Sequence, residues 1–147
     1  MRTMTTSRFG ELEYDPDQEI HFPEGLPAFE SETRFVPVEI PGTAPVVFLQ
    51  SLNRPDLTFV TLPALSVAPD YSLAMIPEDL EILGLPPERQ PGLGKEVLCL
   101  AIVTIGGQQP PSVNLMAPVV IHIGTRRAVQ AIQPESPWSH QHQVPLD

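Results

Sequence analysis

Few residues in this chain have the types and spacing that catalysis or metal binding would need. Ser51 and Ser112 lack the glycine frame of a nucleophile elbow, and no glycine-rich phosphate loop occurs. Cys99 lies inside the apolar run Val97 to Val103, where a thiol packs as a small core side chain with a raised pKa. His122, on an otherwise apolar strand, reads as a satisfied or half-exposed histidine. His140 and His142 alternate along an extended tail and could share a metal, but spacing supplies no third ligand, so no metal site is expected. Glu11 and Glu13 fall on an exposed strand face, where nothing desolvates them enough to tune proton transfer. An enzyme is disfavoured, and neither a catalytic residue nor a cofactor is expected.

Binding leaves weaker traces, and three loops carry them. FPEGLPAF, LQSLNRPDLTF and SVNLMAP combine rigid prolines, apolar side chains and a few amides. If they meet a partner, the residues expected to do so are Phe22, Pro23, Leu26 and Phe29 in the first, Gln50 and Ser51 in the second, and Asn114, Leu115 and Pro118 in the third. Each has a structural reading as well. Phe22, Leu26 and Phe29 could plug the core, and Gln50 and Asn114 could satisfy backbone groups of their own loops. For Asn114 the inward role is favoured.

The elements that must hold these loops are short. Arg8 to Tyr14 alternates as a half-buried strand, Asp15-Pro16-Asp17 turns, and a second strand follows at Glu19 to Phe22. Phe35 to Ile40 reads as an edge strand because of Pro37. Val46 to Leu52 and Leu57 to Leu62 form a hairpin around Asn53-Arg54-Pro55-Asp56. The chain is expected to stay extended to Val67 and to make a strand from Tyr71 to Ile76. Pro77 to Leu83 is the one expected helix, with Pro77 in its first turn and Gly84 to end it. Pro86 to Gly94 is the expected mobile loop.

Glu96 to Ile105 is apolar throughout and reads as a central strand. In Ser112 to Gly124, Val119, Ile121 and Ile123 point one way, and Val120 and His122 the other. Pro118 marks a strand start or a bulge, preceded by an entry loop with Pro110, Pro111 and Asn114. Arg127 to Gln133 closes the set. The fold is therefore expected to be all-β, a small antiparallel barrel or two-sheet sandwich with one short helix near residues 77–83. Residues 1–133 would be a single domain and residues 134–147 a loosely ordered tail.

Formal net charge is −10 over 147 residues. Residues 1–39 hold nine carboxylates against three arginines, an excess of six in about a quarter of the chain. That balance argues against direct nucleic-acid binding and for a basic partner, or simply for a solvated surface. No apolar run near the start has signal-peptide or membrane-span length, so a cytoplasmic protein that does not enter membranes is expected. The lone cysteine agrees.

Taken together in order, RFGELEY, IHFPEGLPAF, FLQSLNRPDLTFV, PDYSL, SVNLMAPVVIHI and RRAVQAI resemble the FliW family of bacterial flagellar assembly factors over residues 7 to 133. The resemblance implies a β-barrel-like protein without enzymatic activity that binds flagellin and the RNA-binding regulator CsrA. By such a partner switch, flagellin synthesis would follow export. A monomer is expected. Three departures stand out: Ala28 and Ala128 replace glycines usual in the family, and the customary tail survives only as Val144-Pro145-Leu146. The alternative is a barrel whose rigid loops guard a cavity for a small ligand. A barrel filled by side chains favours the first reading, and an open, amide-lined pocket favours the second.

Overall fold

The computed structural model describes residues 1–26, 29–106, 109–133 and 142–143. It begins with a separate hairpin, β1 (Arg2–Thr6) on β2 (Gly10–Tyr14). The alternation in β2 is as the sequence reads, with Leu12 and Tyr14 half-buried and Glu11 and Glu13 exposed. Its partner β1 carries no apolar alternation that would announce a strand, because Thr3 and Thr5 alternate there in place of apolar residues.

The main sheet uses β3 (Ile20–His21), β4 (Arg34–Val38), β5 (Val47–Ser51), β6 (Thr58–Pro63), β7 (Val97–Gly106), β8 (Gln109–His122), β9 (Ala128–Gln130) and β10 (His142–Gln143). Its order is β10-β8-β7-β6-β5-β4-β3, antiparallel throughout, with β9 on β8 as well. The sheet curls until its ends meet: His21 N–H donates to Arg126 O at 2.9 Å, and His21 bridges Arg127. A small barrel results, as expected. β3 covers only Arg34 and Phe35 of β4, so Pro37, which has no N–H to give, sits where β4 lacks a strand on its outer side.

Two apolar cores lie on the two faces of this sheet. The barrel interior holds Ile20, Phe22, Leu26, Phe35, Leu49, Leu100, Val119, Ile121 and Ala128. The other core packs Val97, Cys99, Ala101, Val113, Leu115 and Val120 under two helices, α1 (Ala64–Val67) and α2 (Pro77–Leu83). Apolar burial on both faces explains why β7 and β8 read as nearly unbroken hydrophobic runs. Helix α2 has the expected bounds, ended by Gly84 at φ 77°, whose N–H reaches Leu80 O and Glu81 O.

Three expectations need correction. Residues 64–67 form α1 rather than extended chain, closed by Ala68 N–H to Ala64 O at 2.9 Å. Tyr71 to Ile76 buries Tyr71, Leu73 and Met75 in alternation, but it forms no strand. Side-chain amides serve it instead: Gln133 accepts from Ala74 N–H, while Gln90 accepts from Met75 N–H and donates to Met75 O. Finally, the entry loop before Pro118 is strand, since β8 starts at Gln109.

What looked like a loop is a bulge inside β8. Leu100 faces Val119 and Ile102 faces Asn114, so two steps along β7 answer five along β8. The three extra residues are an odd number and reverse the side-chain alternation. Val113 and Leu115 therefore share the outer core with Val120, while Val119 and Ile121 face the barrel. Asn114 Oδ1 accepts from Met116 N–H and Ala117 N–H, both at 3.0 Å. Pro118, buried, has no N–H to satisfy.

The Pro/Gly-rich loop at 86–94 is tied rather than free. Both Arg89 Nη atoms donate to the Glu96 carboxylate at 2.8 Å, and Gly92 N–H donates to it at 3.0 Å. In the tail, His142–Gln143 pairs with Ser112–Val113. The rest of it, His140 included, lies outside the described residues, and so does the expectation of loose order there.

Two outcomes follow from these contacts. Asn114→Ala strips the bulge of both acceptor contacts and should cost about 1–2 kcal/mol, read by urea unfolding with an unchanged m-value; an unaltered midpoint would mean the amide is dispensable. The Arg89 guanidinium, and after it Gly92 N–H, hold the Glu96 carboxyl at about 2, below its ordinary 4.5. Its folded-state pKa is lowered, so its stabilising contribution is present above 4.5 and disappears as pH falls toward 2. Carboxyl NMR should find this low midpoint, and Arg89→Ala should return it toward 4.5.

Candidate functional site

Residues 22–26 and 29–33 close one end of the barrel. Gly25, at φ 65°, turns the chain so tightly that a Cβ there would lie 2.4 Å from Glu30 O. Phe22 and Leu26 point inward and are buried. Four rings run from the core outward: Phe22 meets Phe35 edge-on at 5.3 Å, Phe35 meets Phe59 at 5.9 Å, and Phe59 meets Phe29 edge-on at 5.6 Å. Arg54, from the β5–β6 turn, lays its guanidinium 5.7 Å above Phe29.

Polar side chains lock that turn to the loop. Ser51 Oγ donates to Glu32 Oε2 at 3.2 Å and accepts from Asn53 N–H and Arg54 N–H. Gln50 Nε2 donates to Ser51 O at 3.0 Å, with Arg54 O and Pro55 O at 3.3 and 3.4 Å, while its Oε1 accepts from Thr58 Oγ1 at 2.6 Å. Gln50, Ser51 and Glu32 are all buried. The tip of the β1–β2 hairpin joins the same turn through Ser7 N–H to Pro55 O at 2.9 Å. Phe9 packs edge-on against Phe48 at 5.4 Å, and Arg8 lies 5.5 Å above that ring. Among the described residues, three adjoining tips meet at this end, with Arg8 and Arg54 each backed by an aromatic ring.

The nine candidate residues fall into two groups. Phe22, Pro23, Leu26, Phe29, Gln50 and Ser51 surround the β5–β6 turn, whereas Asn114, Leu115 and Pro118 form the β8 bulge. Of the nine, Pro23 alone is exposed; Phe29 and Asn114 are half-buried and the others buried. Arg8 and Arg54 were not singled out from sequence, because the rings that back them, Phe48 and Phe29, are distant along the chain. Ala128 needs no glycine, being a buried residue of β9 facing Ile121. The left-handed position is Arg126, two residues earlier, at φ 64°. Ala28 lies outside the described residues.

At the opposite end the barrel is open. A cleft of about 420 Å³ is floored by Ile20, Pro37, Val47, Leu98, Leu100 and Ile121, and rimmed by Gln18, Glu39 and Arg126. Elsewhere, burial pushes the Cys99 thiol up to about 12, which suits an inert core residue. His122 Nδ1 lies 2.8 Å from Thr125 Oγ1. Among the described residues no group of three or more His, Cys, Asp or Glu is arranged to hold a metal.

Comparison with known proteins is consistent along the whole chain. The family model described as FliW protein matches residues 3–144. The flagellar assembly factor FliW of Syntrophotalea carbinolica is 30% identical over 145 residues, covering 99% of each chain. That of Geotalea uraniireducens is 36% identical over 120 residues, covering 81% of this chain and 69% of the relative. A crystal structure of the flagellar assembly factor FliW superposes with a TM-score of 0.82 at 27% identity, covering 97% of this chain and 96% of that one.

If Ser51 locks the turn, Ser51→Ala should cost about 1–3 kcal/mol, because it leaves a buried Glu32 oxygen and two turn N–H groups without their partner. Amide exchange at Asn53 and Arg54 should quicken along with the loss; stability lost without faster exchange there would assign the effect to packing instead.

Proposed function

The chain belongs to the FliW family, and from that premise we propose that it is a non-enzymatic flagellar assembly factor binding flagellin and a CsrA-type regulator. The match of family model to residues 3–144 is the observation that carries this reading. In the scheme, flagellin that accumulates occupies the protein, the regulator is released and flagellin translation falls. When export drains flagellin, the protein returns to the regulator. Two ligands competing for one protein suffice, and linkage makes their antagonism reciprocal.

Physical features support the choice of protein partners. The barrel interior is filled by Phe, Leu, Ile and Val side chains, so what remains for macromolecular recognition is the outside. Of the nine carboxylates in residues 1–39, Glu19 is bonded to Arg34, and Glu32 is buried on Ser51. Glu11, Glu13, Asp17, Glu24, Glu30 and Glu39 are exposed and give the field that would steer a basic regulator. The three tips at the plugged end offer aromatic-backed arginines, the kind of residue that dominates protein interfaces. In this reading Pro23 and Phe29 meet the partner directly, while Phe22, Leu26, Gln50 and Ser51 hold the surface in shape. Asn114, Leu115 and Pro118 act likewise through the bulge. The protein works as a cytoplasmic monomer.

Calorimetric titration with purified flagellin and with purified CsrA should give a complex with each, and preloading with flagellin should suppress the regulator's heat. No complex with either would overturn the proposal. Raising ionic strength from about 50 to 500 mM should weaken the regulator complex mainly through slower association; indifference to salt would remove the steering role of the acidic surface.

A further inference from the structure

The open mouth of the barrel carries features that partner binding at the plugged end does not use. Leu98 is 40% exposed over the cleft of about 420 Å³, a volume within the range of small-molecule sites. Arg126 stands at its rim in a left-handed conformation, the only residue other than glycine with positive φ among the described residues. Both its backbone groups are used: its N–H donates to His122 O at 2.8 Å and its carbonyl accepts from His21 N–H. Its Nη2 donates to Gln18 O and Oε1 at 3.0 and 2.9 Å. Its Nε is buried and has no partner, alone in this among the described side-chain polar atoms. Glu39, on the same rim, is exposed and makes no ion pair among the described residues.

A seam staple would account for the bonds to Gln18 but not for the idle Nε. A buried N–H without an acceptor costs about 1–3 kcal/mol, and residual backbone strain gathers where a ligand is to be met. Gln18 is exposed and neutral, so its side-chain oxygen is a weak acceptor that an anion can displace. A carboxylate taking that place would accept from Nε and Nη2 together. Arg34 does the same within this protein, binding Glu19 through its Nε and Nη2. A simple anion would meet Glu39 with the wrong sign, whereas a ligand that also carries an ammonium satisfies both rim charges. Leu98, Val47 and Leu100 then receive its apolar body.

We propose that the mouth of the barrel binds a small zwitterion with an apolar side chain, of the chemical class of a free branched or aromatic amino acid. Arg126 holds the carboxylate, Glu39 the ammonium, and the Leu98 floor the side chain. This site is separate from the plugged end and does not rest on the flagellin and regulator reading.

The test is amide NMR titration of the full chain with L-phenylalanine and L-leucine, each taken into the tens of millimolar. Beside them run 3-phenylpropionate, which lacks the ammonium, and phenethylamine, which lacks the carboxylate. The expected result is saturable shifts confined to residues 18–21, 37–40, 98–100 and 121–127 with at least one amino acid, and binding at least about tenfold weaker for each truncated analogue. Glu39→Gln, a change on an exposed side chain that leaves the fold intact, should abolish the preference for phenylalanine over phenylpropionate. Arg126→Lys, which keeps the charge and loses the fork, should weaken binding about tenfold or more. No saturable shift with either amino acid would overturn the proposal. So would shifts scattered over the surface, equal affinity for phenylpropionate, or affinities unchanged in Glu39→Gln and Arg126→Lys.

Discussion

The excursion of β8 at Leu115 to Pro118 is the constraint on which the rest of this structure depends. Three residues more than its partner strand can face must be stored without orphaning their backbone, since each unmade bond in a buried sheet would cost about 1–3 kcal/mol. The chain answers group by group. Asn114 takes the two N–H groups of Met116 and Ala117, and Pro118 has none. Leu115 O accepts from Tyr71 Oη, Met116 O from Gln133 N–H, Ala117 O from Gln130 Nε2, and Pro118 O from Ala131 N–H. Those partners come from the segment after Pro69 and from the stretch around β9, so the bulge is what binds these otherwise irregular pieces to the sheet.

Its geometric effect reaches further than its hydrogen bonds. Because an odd number of residues is inserted, β8 exchanges faces halfway along, and one strand supplies Val113 and Leu115 to the outer core and Val119 and Ile121 to the barrel. Without that exchange, Val119 would turn toward the helices and Val120 toward the barrel, and neither core would keep its shape. A bulge also increases local twist, which helps the sheet to curl until β3 reaches Arg126 and Arg127. The two ends of the barrel follow from the same closure. One is stopped by residues 22–26 and 29–33, whose Gly25 turn brings Phe22 and Leu26 inward, and the other stays open at the cleft lined by Leu98.

Much of this was legible in the residues, and the reasons are local. Helix α2 announces both of its ends, with Pro77 at the start and Gly84 after it, and the β5–β6 hairpin announces its turn with Asn53-Arg54-Pro55-Asp56. Elements whose pairing is supplied from afar were not legible. Tyr71 to Ile76 buries alternate residues as a strand does, yet its hydrogen bonds come from Gln90 and Gln133, which no alternation in the segment itself can reveal. Likewise Pro118 signals an interruption, but only the register against β7 shows that the interruption lies within a strand. The family resemblance placed residues 7 to 133 without resolving either point.

The candidate loops were harder than the fold because an amide in a proline-framed loop has the same chemistry whether it faces a partner or its own backbone. Gln50 and Asn114 both face inward, and the reason is one of supply. A tight turn or bulge removes backbone groups from their ladder, and the nearest side chain able to replace several bonds at once is an amide or hydroxyl held in the loop itself. Gln50 reaches as many as three carbonyls while accepting from Thr58, and Ser51 serves two N–H groups while donating to Glu32. In the proposed reading, side chains with their bonding capacity so committed leave recognition to their neighbours. At the plugged end those are Arg8 and Arg54, whose charges rest on rings. At the open end it is Arg126, whose Nε is the one buried side-chain donor among the described residues with nothing to give to.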